Sequence, residues 1–334
     1  ACGVFCSYFY IIGGLFILIC RGLGRSPSSL GIRAYACITL ALASFMHTWF
    51  CDLLTLPSIP QWSFADYEES KGVAGTFSGF PLKRMSGWLL DTSLFEQAWA
   101  RVCSGKVNWW FSQQLCLYTV GAWTIFLATE GRRHQVKHIW AYMVFGQLVA
   151  ISVASNLFYL ALVLAGPPSA TPHPSSLHAS PSLWIPVLLS LGTVVASPLT
   201  DDRTFLPNLL LMHSLILIPL LVPAAPIRKS RFSLGLSTLY ILVFGAALVL
   251  HTRATSTALG EPMVSAPEFV RNAWSVLHSH PAQSSIGWDV IWTSISFVVW
   301  LVLQPEQSHR LLTAVYLLLA TPLVSVGVLA PHIL

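Results

Sequence analysis

The stretch "HPAQSSIGWDVIWTSISFVVW", His280 to Trp300, decides the class of this chain. From Ile286 onward it reads as a membrane-crossing helix, yet it holds Asp289, beside Trp288 and one turn before Trp292. An ionisable side chain at a helix centre costs about 2.5–3.5 kcal/mol on insertion scales, and such groups face the bundle interior. Two readings of Asp289 follow. In an apolar pocket, desolvation disfavours the charged form, so a carboxyl keeps its proton and serves as a general acid. Alternatively, Ser284 or Ser285 caps the helix, Asp289 falls in or just past the first turn, and its charge suits the helix dipole.

Composition sets the frame. Of 334 residues, 54% are hydrophobic and 9% charged, against about 25% charged in soluble domains. Mean hydropathy is +0.66. A span needs roughly 20 mostly apolar residues. Nine stretches meet or approach this: 5–20, 34–56, 107–129, 138–165, 182–200, 204–223, 232–252, 286–303 and 311–329. The expected fold is an all-α, polytopic integral membrane bundle of about eight or nine transmembrane helices, one domain over 1–334. The first stretch has no basic region before it and no clear cleavage site after it, so a retained anchor is expected. Seven cysteines, Cys2, Cys6, Cys20, Cys37, Cys51, Cys103 and Cys116, form no CxxC pair. They read as reduced core residues, with no disulfide or zinc framework. The net charge of +5 comes from short basic turns. These orient spans and offer no nucleic-acid surface.

Arg21, Arg25 and Arg33 in the first loop, and Arg132, Arg133 and Lys137 in "EGRRHQVKH", are expected on the cytosolic side. The uncharged loop "GPPSATPHPSSLHASPS", 166–182, then reads as lumenal. Strict alternation also puts Arg228, Lys229 and Arg231 of "PIRKSR" on the lumenal side, against the rule. Either the rule fails there, or one of the spans at 182–223 is re-entrant. Two longer segments do not span. Residues 57–106 are expected to be interfacial and lumenal, with an amphipathic helix in "WLLDTSLFEQAWARV", where Trp88, Leu89, Phe95 and Trp99 recur at helical spacing. Residues 253–283 form a second interfacial segment with a short helix in "PEFVRNAWSVLHSH".

Several further residues are candidates for chemistry. Asp91 and Glu96, within about 140° of each other on an ideal helix, read as an acid and its partner at a cavity mouth, or as the solvated face of a surface helix. Asn156 orients a substrate oxygen or an acid, or only bonds between helices. His213 and His47 have no partner evident in sequence. Trp109, Trp110, Phe158, Tyr159 and Trp292 belong either to interface belts or to a set of rings that shelters a cation. Asp201 and Asp202 lack a carboxylate three residues further on, where Phe205 stands, so no metal-diphosphate site is expected.

The runs "NWWFSQQLCLYTVGAWTIFLATEGRRHQVKHIWAYMVFGQLVAISVASNLFYLAL" and "HPAQSSIGWDVIWTSISF" resemble the fungal membrane-bound terpene cyclases of meroterpenoid biosynthesis, of the ascofuranone and macrophorin type. The similarity extends from about residue 85 to 303 and rests on long segments, not on a short motif. It implies cyclisation of a farnesylated aromatic or epoxycyclohexenone, started by protonating a terminal epoxide or alkene, with no metal and no cofactor. It also implies a place in secondary metabolism at the endoplasmic reticulum. Asp289 is then the leading acid, with Asp91, Glu96 and Asn156 as catalytic company. Trp109, Trp110, Phe158, Tyr159, Trp292 and His213 are the expected substrate contacts. The expected partners are a prenylated small molecule and membrane lipids; the sequence assigns no oligomeric state. The rivals are a transporter or lipid-binding protein, which would want a continuous polar stripe, and an acyltransferase, whose motif is not seen. On the cyclase reading, microsomal activity survives EDTA. Loss on chelation, with recovery on adding magnesium, contradicts it.

Overall fold

The computed structural model describes residues 2–24, 30–49, 59–72, 84, 87–88, 91, 94–166, 178–201, 203–222, 232–260, 264–304 and 310–334. The fold is all-α, apart from a two-residue antiparallel pairing of β1 (His178–Ala179) with β2 (Leu234–Gly235). Among the described residues, three helices are long and apolar enough to cross a membrane: Pro181–Leu199, Leu236–Leu259 and Pro281–Val302. Shorter apolar helices accompany them. Ile17, Leu42, Leu189, Ile241, Val249 and Leu318 are exposed on outer faces, as lipid contact requires.

Helices α1 (Cys2–Gly22) and α2 (Ile32–Trp49) match the first two apolar stretches, and α3 (Ile59–Ser70) follows. Helix α4 (Leu94–Cys103) covers the later part of the expected amphipathic helix; Trp88 and Asp91 ahead of it are also helical, and residues 92–93 lie outside the described residues. Next, α5 (Lys106–Tyr118), a π-turn (Thr119–Trp123) and α6 (Thr124–Arg133) make one continuous helix. The Thr124 hydroxyl donates to the Thr119 carbonyl at 2.7 Å within the π-turn.

The fourth stretch, 138–165, departs from expectation. It is two helices, α7 (Ile139–Leu148) and α8 (Ile151–Ala165), broken at Val149 and Ala150, where Ala150 is extended (φ −172°, ψ 140°). Ten helical residues measure about 15 Å, half of the roughly 30 Å hydrocarbon layer. The two helices fold back on each other. Tyr142 and Phe158 meet at 5.4 Å across them. At Gly146 the arms are so close that a Cβ would lie 2.9 Å from Ile151 Cδ1. At the open end, His134 Nδ1 donates to the Gly166 carbonyl at 2.9 Å. Residues 139–165 therefore enter and return at one end of the bundle.

This places the later chain. Helices α9 (Pro181–Ala196) and α10 (Phe205–Leu215) pair antiparallel: Asn208 donates to the Thr193 carbonyl at 3.1 Å, and Ser190 to the Met212 carbonyl at 3.4 Å. After the short α11 (Ile218–Leu221), the Val222 carbonyl accepts from Arg132 at 2.7 Å. The chain entering "PIRKSR" is thus at the same end as the loop holding Arg132. Those six residues and most of 166–182 lie outside the described residues. The helical hairpin lies at 139–165, while α9 and α10 pair antiparallel within 182–223.

Helix α12 (Leu236–Leu259) runs into the segment 253–283, which then holds α13 (Ala266–Leu277), with Val270 and Trp274 exposed. Helix α14 (Pro281–Val302) starts ahead of the expected 286. The last stretch is broken at Ser325 into α15 (Arg310–Val324) and α16 (Val326–Ile333). Leu323 meets His251 of α12, while His332 meets the earlier Phe244, so α16 travels back along α12. Five described cysteines are free. Cys37 is buried, but Cys6 and Cys20 are exposed, not core residues as expected.

A single cysteine at Lys137 and one at Ser180, each in a background with the native cysteines replaced, should take an impermeant maleimide from the same side of sealed microsomes. Labelling from opposite sides would mean that 139–165 crosses.

Candidate functional site

A helix that starts at membrane depth presents backbone N–H groups with no intrahelical partner and no water. At α8 these groups meet Asp289. Its Oδ2 accepts the Ile151 N–H at 2.8 Å, and its Oδ1 accepts the Ser152 N–H at 2.7 Å. Asp289 is not in the first turn of its own helix. Helix α14 is capped by His280, whose Nδ1 accepts the Ala282 N–H at 3.1 Å. The Ser284 hydroxyl donates to the Leu277 carbonyl at 2.5 Å instead. Asp289 therefore lies about two turns into α14 and caps a different helix from the one expected.

The carbonyls of the hairpin tip are satisfied in the same way. Tyr8 of α1 donates its hydroxyl to Leu148 O at 2.5 Å, and Trp49 of α2 donates Nε1 to Val149 O at 3.2 Å. Three distant side chains from three helices complete one interrupted backbone. Neutral hydrogen bonds of this kind contribute about 0.5–1.5 kcal/mol each, and those to a charged group about 1.5–3 kcal/mol.

The tip and Asp289 form part of the wall of a cavity of about 480 Å³, within the roughly 300–1,000 Å³ usual for ligand sites. Its lining is mostly apolar. The rings of Tyr8, Phe9, Trp49 and Trp99 face it, with Leu209, Met212 and His213 of α10 and Ile216 just after it. The His213 ring stacks on Trp99 with centroids 6.2 Å apart. Thr119, the first residue of the π-turn, also lines it. Its hydroxyl is buried without a hydrogen-bond partner among the described residues. Single π-turns recur at functional sites.

Of the expected site residues, Asp289 and His213 reach this cavity. Asp91 does not: it is exposed, paired with Lys71 at 3.2 Å and bonded by the Tyr67 hydroxyl at 3.1 Å. The Lys71 contact first, then Tyr67, holds its carboxyl below the ordinary carboxylate range. Glu96, in the first turn of α4, is absent from the cavity lining. Asn156 donates to Ser152 O at 2.9 Å and to Ser296 Oγ at 2.7 Å, tying α8 to α14. Phe158 and Tyr159 are fully buried among Trp123, Phe126 and other rings. The void beside Asn156 and Tyr159 is only about 10 Å³, room for about one water. Trp292 packs on His47 at 5.2 Å. Trp110 donates to Thr255 at 3.1 Å, and Trp109 packs on the main core. Asp201 accepts from Thr204 and Arg203 at the start of α10, and Asp202 lies outside the described residues.

Sequence reasoning missed the rings of Tyr8, Phe9, Trp49 and Trp99 as cavity walls. Trp99 did carry a signal, the helical spacing of α4, but it was read as a membrane-facing stripe. Residues 85–163, which include most of the hairpin, match the profile of a family described as "Protein of unknown function DUF2834". No curated protein and no solved structure matches the chain.

Asp289→Asn sets an amide N–H₂ against one of the two α8 N–H donors, leaving it opposed and unpaired. Thermal or denaturant unfolding in detergent should show a loss of about 1–3 kcal/mol, more for Asp289→Ala. An Asn variant as stable as wild type would contradict the capping role.

Proposed function

We propose that the protein is a metal-independent membrane terpene cyclase of fungal meroterpenoid biosynthesis in the endoplasmic reticulum. Asp289 transfers its proton to the terminal alkene or epoxide of a farnesylated aromatic or epoxycyclohexenone. For an alkene, the π electron pair forms the new C–H bond and leaves a tertiary cation. Inner double bonds attack in turn. Loss of a proton, or capture by a substrate hydroxyl that then loses its proton, ends the cascade as a net isomerisation. The observation that carries this reading is a single carboxyl in the wall of a mostly apolar, ring-lined cavity of about 480 Å³. Two N–H groups of α8 stabilise the carboxylate left behind, and ring faces such as Trp99 and Trp49 suit a cation.

We also infer seven complete crossings: α1, α2, α5–α6, α9, α10–α11, α12 and α14, with α7–α8 and α15–α16 entering and returning. The support is that this arrangement puts Arg21, Arg33, Arg132, Arg133, Lys137 and the "PIRKSR" turn on one side, as the positive-inside rule asks.

A second reading, a lipid-binding protein, is favoured by one fact: both Asp289 oxygens already accept backbone donors. Incubation of membranes with a farnesylated phenol and with its terminal epoxide, in H₂O and in D₂O, separates the two. A cyclase gives a cyclic product of unchanged mass in H₂O. Alkene protonation adds one carbon-bound deuterium in D₂O, and epoxide protonation adds none. Return of both compounds unchanged contradicts the cyclase and leaves the binding protein.

A further inference from the structure

The cavity's polar atoms are mostly committed within the protein. The Tyr8 hydroxyl and Trp49 Nε1 go to the hairpin tip, the Ser112 hydroxyl donates to Val102 O at 2.6 Å, and the Thr48 hydroxyl to Ser44 O at 2.8 Å. Both oxygens of Asp289 accept from α8. His213 differs. Its Nδ1 lies 2.7 Å from the Leu209 carbonyl one turn earlier. A carbonyl only accepts, so Nδ1 carries the hydrogen. In a neutral imidazole the other nitrogen, Nε2, then holds a lone pair and no hydrogen. This nitrogen has no partner among the described residues, and its ring lines the cavity. The Leu209 bond sets the tautomer, and the Trp99 stack sets the ring plane. The result is an oriented acceptor in a largely apolar chamber, and such sites orient their ligands through a few placed polar groups.

We propose that His213 Nε2 accepts a hydrogen bond from a hydroxyl of the ligand, so that the cavity selects lipophiles carrying a hydroxyl donor, and that His213 is the residue that positions the polar end of the molecule in the chamber that Asp289 also lines. This rests on the cavity being the ligand site and does not require that cyclisation occur.

The test measures binding, not turnover. The protein in nanodiscs is titrated with a tritiated farnesylated phenol in a scintillation proximity assay, with the methyl ether of the same phenol as competitor. Wild type should prefer the phenol by about tenfold, the value of one added hydrogen bond. His213→Asn keeps a donor for Leu209 O and leaves no acceptor at the Nε2 position, because its amide oxygen lies closer to the backbone. It should bind the ether as wild type does and lose the preference. His213→Gln, whose side-chain oxygen reaches the Nε2 position, should restore part of it. A phenol preference that persists in a His213→Asn protein of wild-type melting temperature overturns the proposal. Binding of neither probe to wild type overturns it together with the cavity as a ligand site. Binding with the phenol preference but no cyclic product overturns the cyclase reading alone and supports this one.

Discussion

The structure depends on how a broken helix is satisfied in lipid. A backbone interrupted at Val149 and Ala150 exposes donors and acceptors, and inside a lipid layer each unmet group costs several kcal/mol. Asp289 closes the donor side through Ile151 and Ser152, and Tyr8 and Trp49 close the acceptor side. These bonds explain why a carboxyl sits among the tryptophans of α14. They also fix the geometry of everything that touches the tip. The cavity borders the tip, where the chain turns between α7 and α8.

Much of the architecture was legible because lipid imposes it. Apolar runs long enough to cross a membrane announce themselves, and Asp289 stood out because a carboxyl in such a run is expensive. The amphipathic α13 was visible from its spacing. The hairpin was not. Residues 138–165 read as one span because no proline or charge marks the break, and the groups that cap it lie at positions 8, 49 and 289. Local sequence does not carry information supplied from elsewhere in the chain. The "PIRKSR" turn, whose charge conflicts with strict alternation, left open a failure of the charge rule or a re-entrant span within 182–223, and did not point to 139–165.

The candidate site was legible in its acid and less so in its walls. Periodicity identifies a buried face but not whether that face meets a ring or a void. Phe158 and Tyr159 therefore looked the same as Trp99, yet the first two pack into a solid aromatic core and the third borders the cavity. Asp91 and Glu96 were paired by spacing along a presumed helix. The Lys71 partner, outside the reach of that argument, holds Asp91 at the surface. The neutral tautomer of His213 depends on a carbonyl distance that no sequence pattern encodes.

One arrangement thus joins stability and chemistry: the carboxyl that holds the hairpin also faces the chamber. The claim stands or falls on whether 139–165 returns to its starting side. Spin labels at Lys137 and Gly166, read by double electron–electron resonance in nanodiscs, address this directly. A hairpin predicts a narrow distribution within about 20 Å, since His134 and Gly166 touch at the open end. A single crossing helix of this length would separate the labels by roughly 40 Å, and that result would contradict the account.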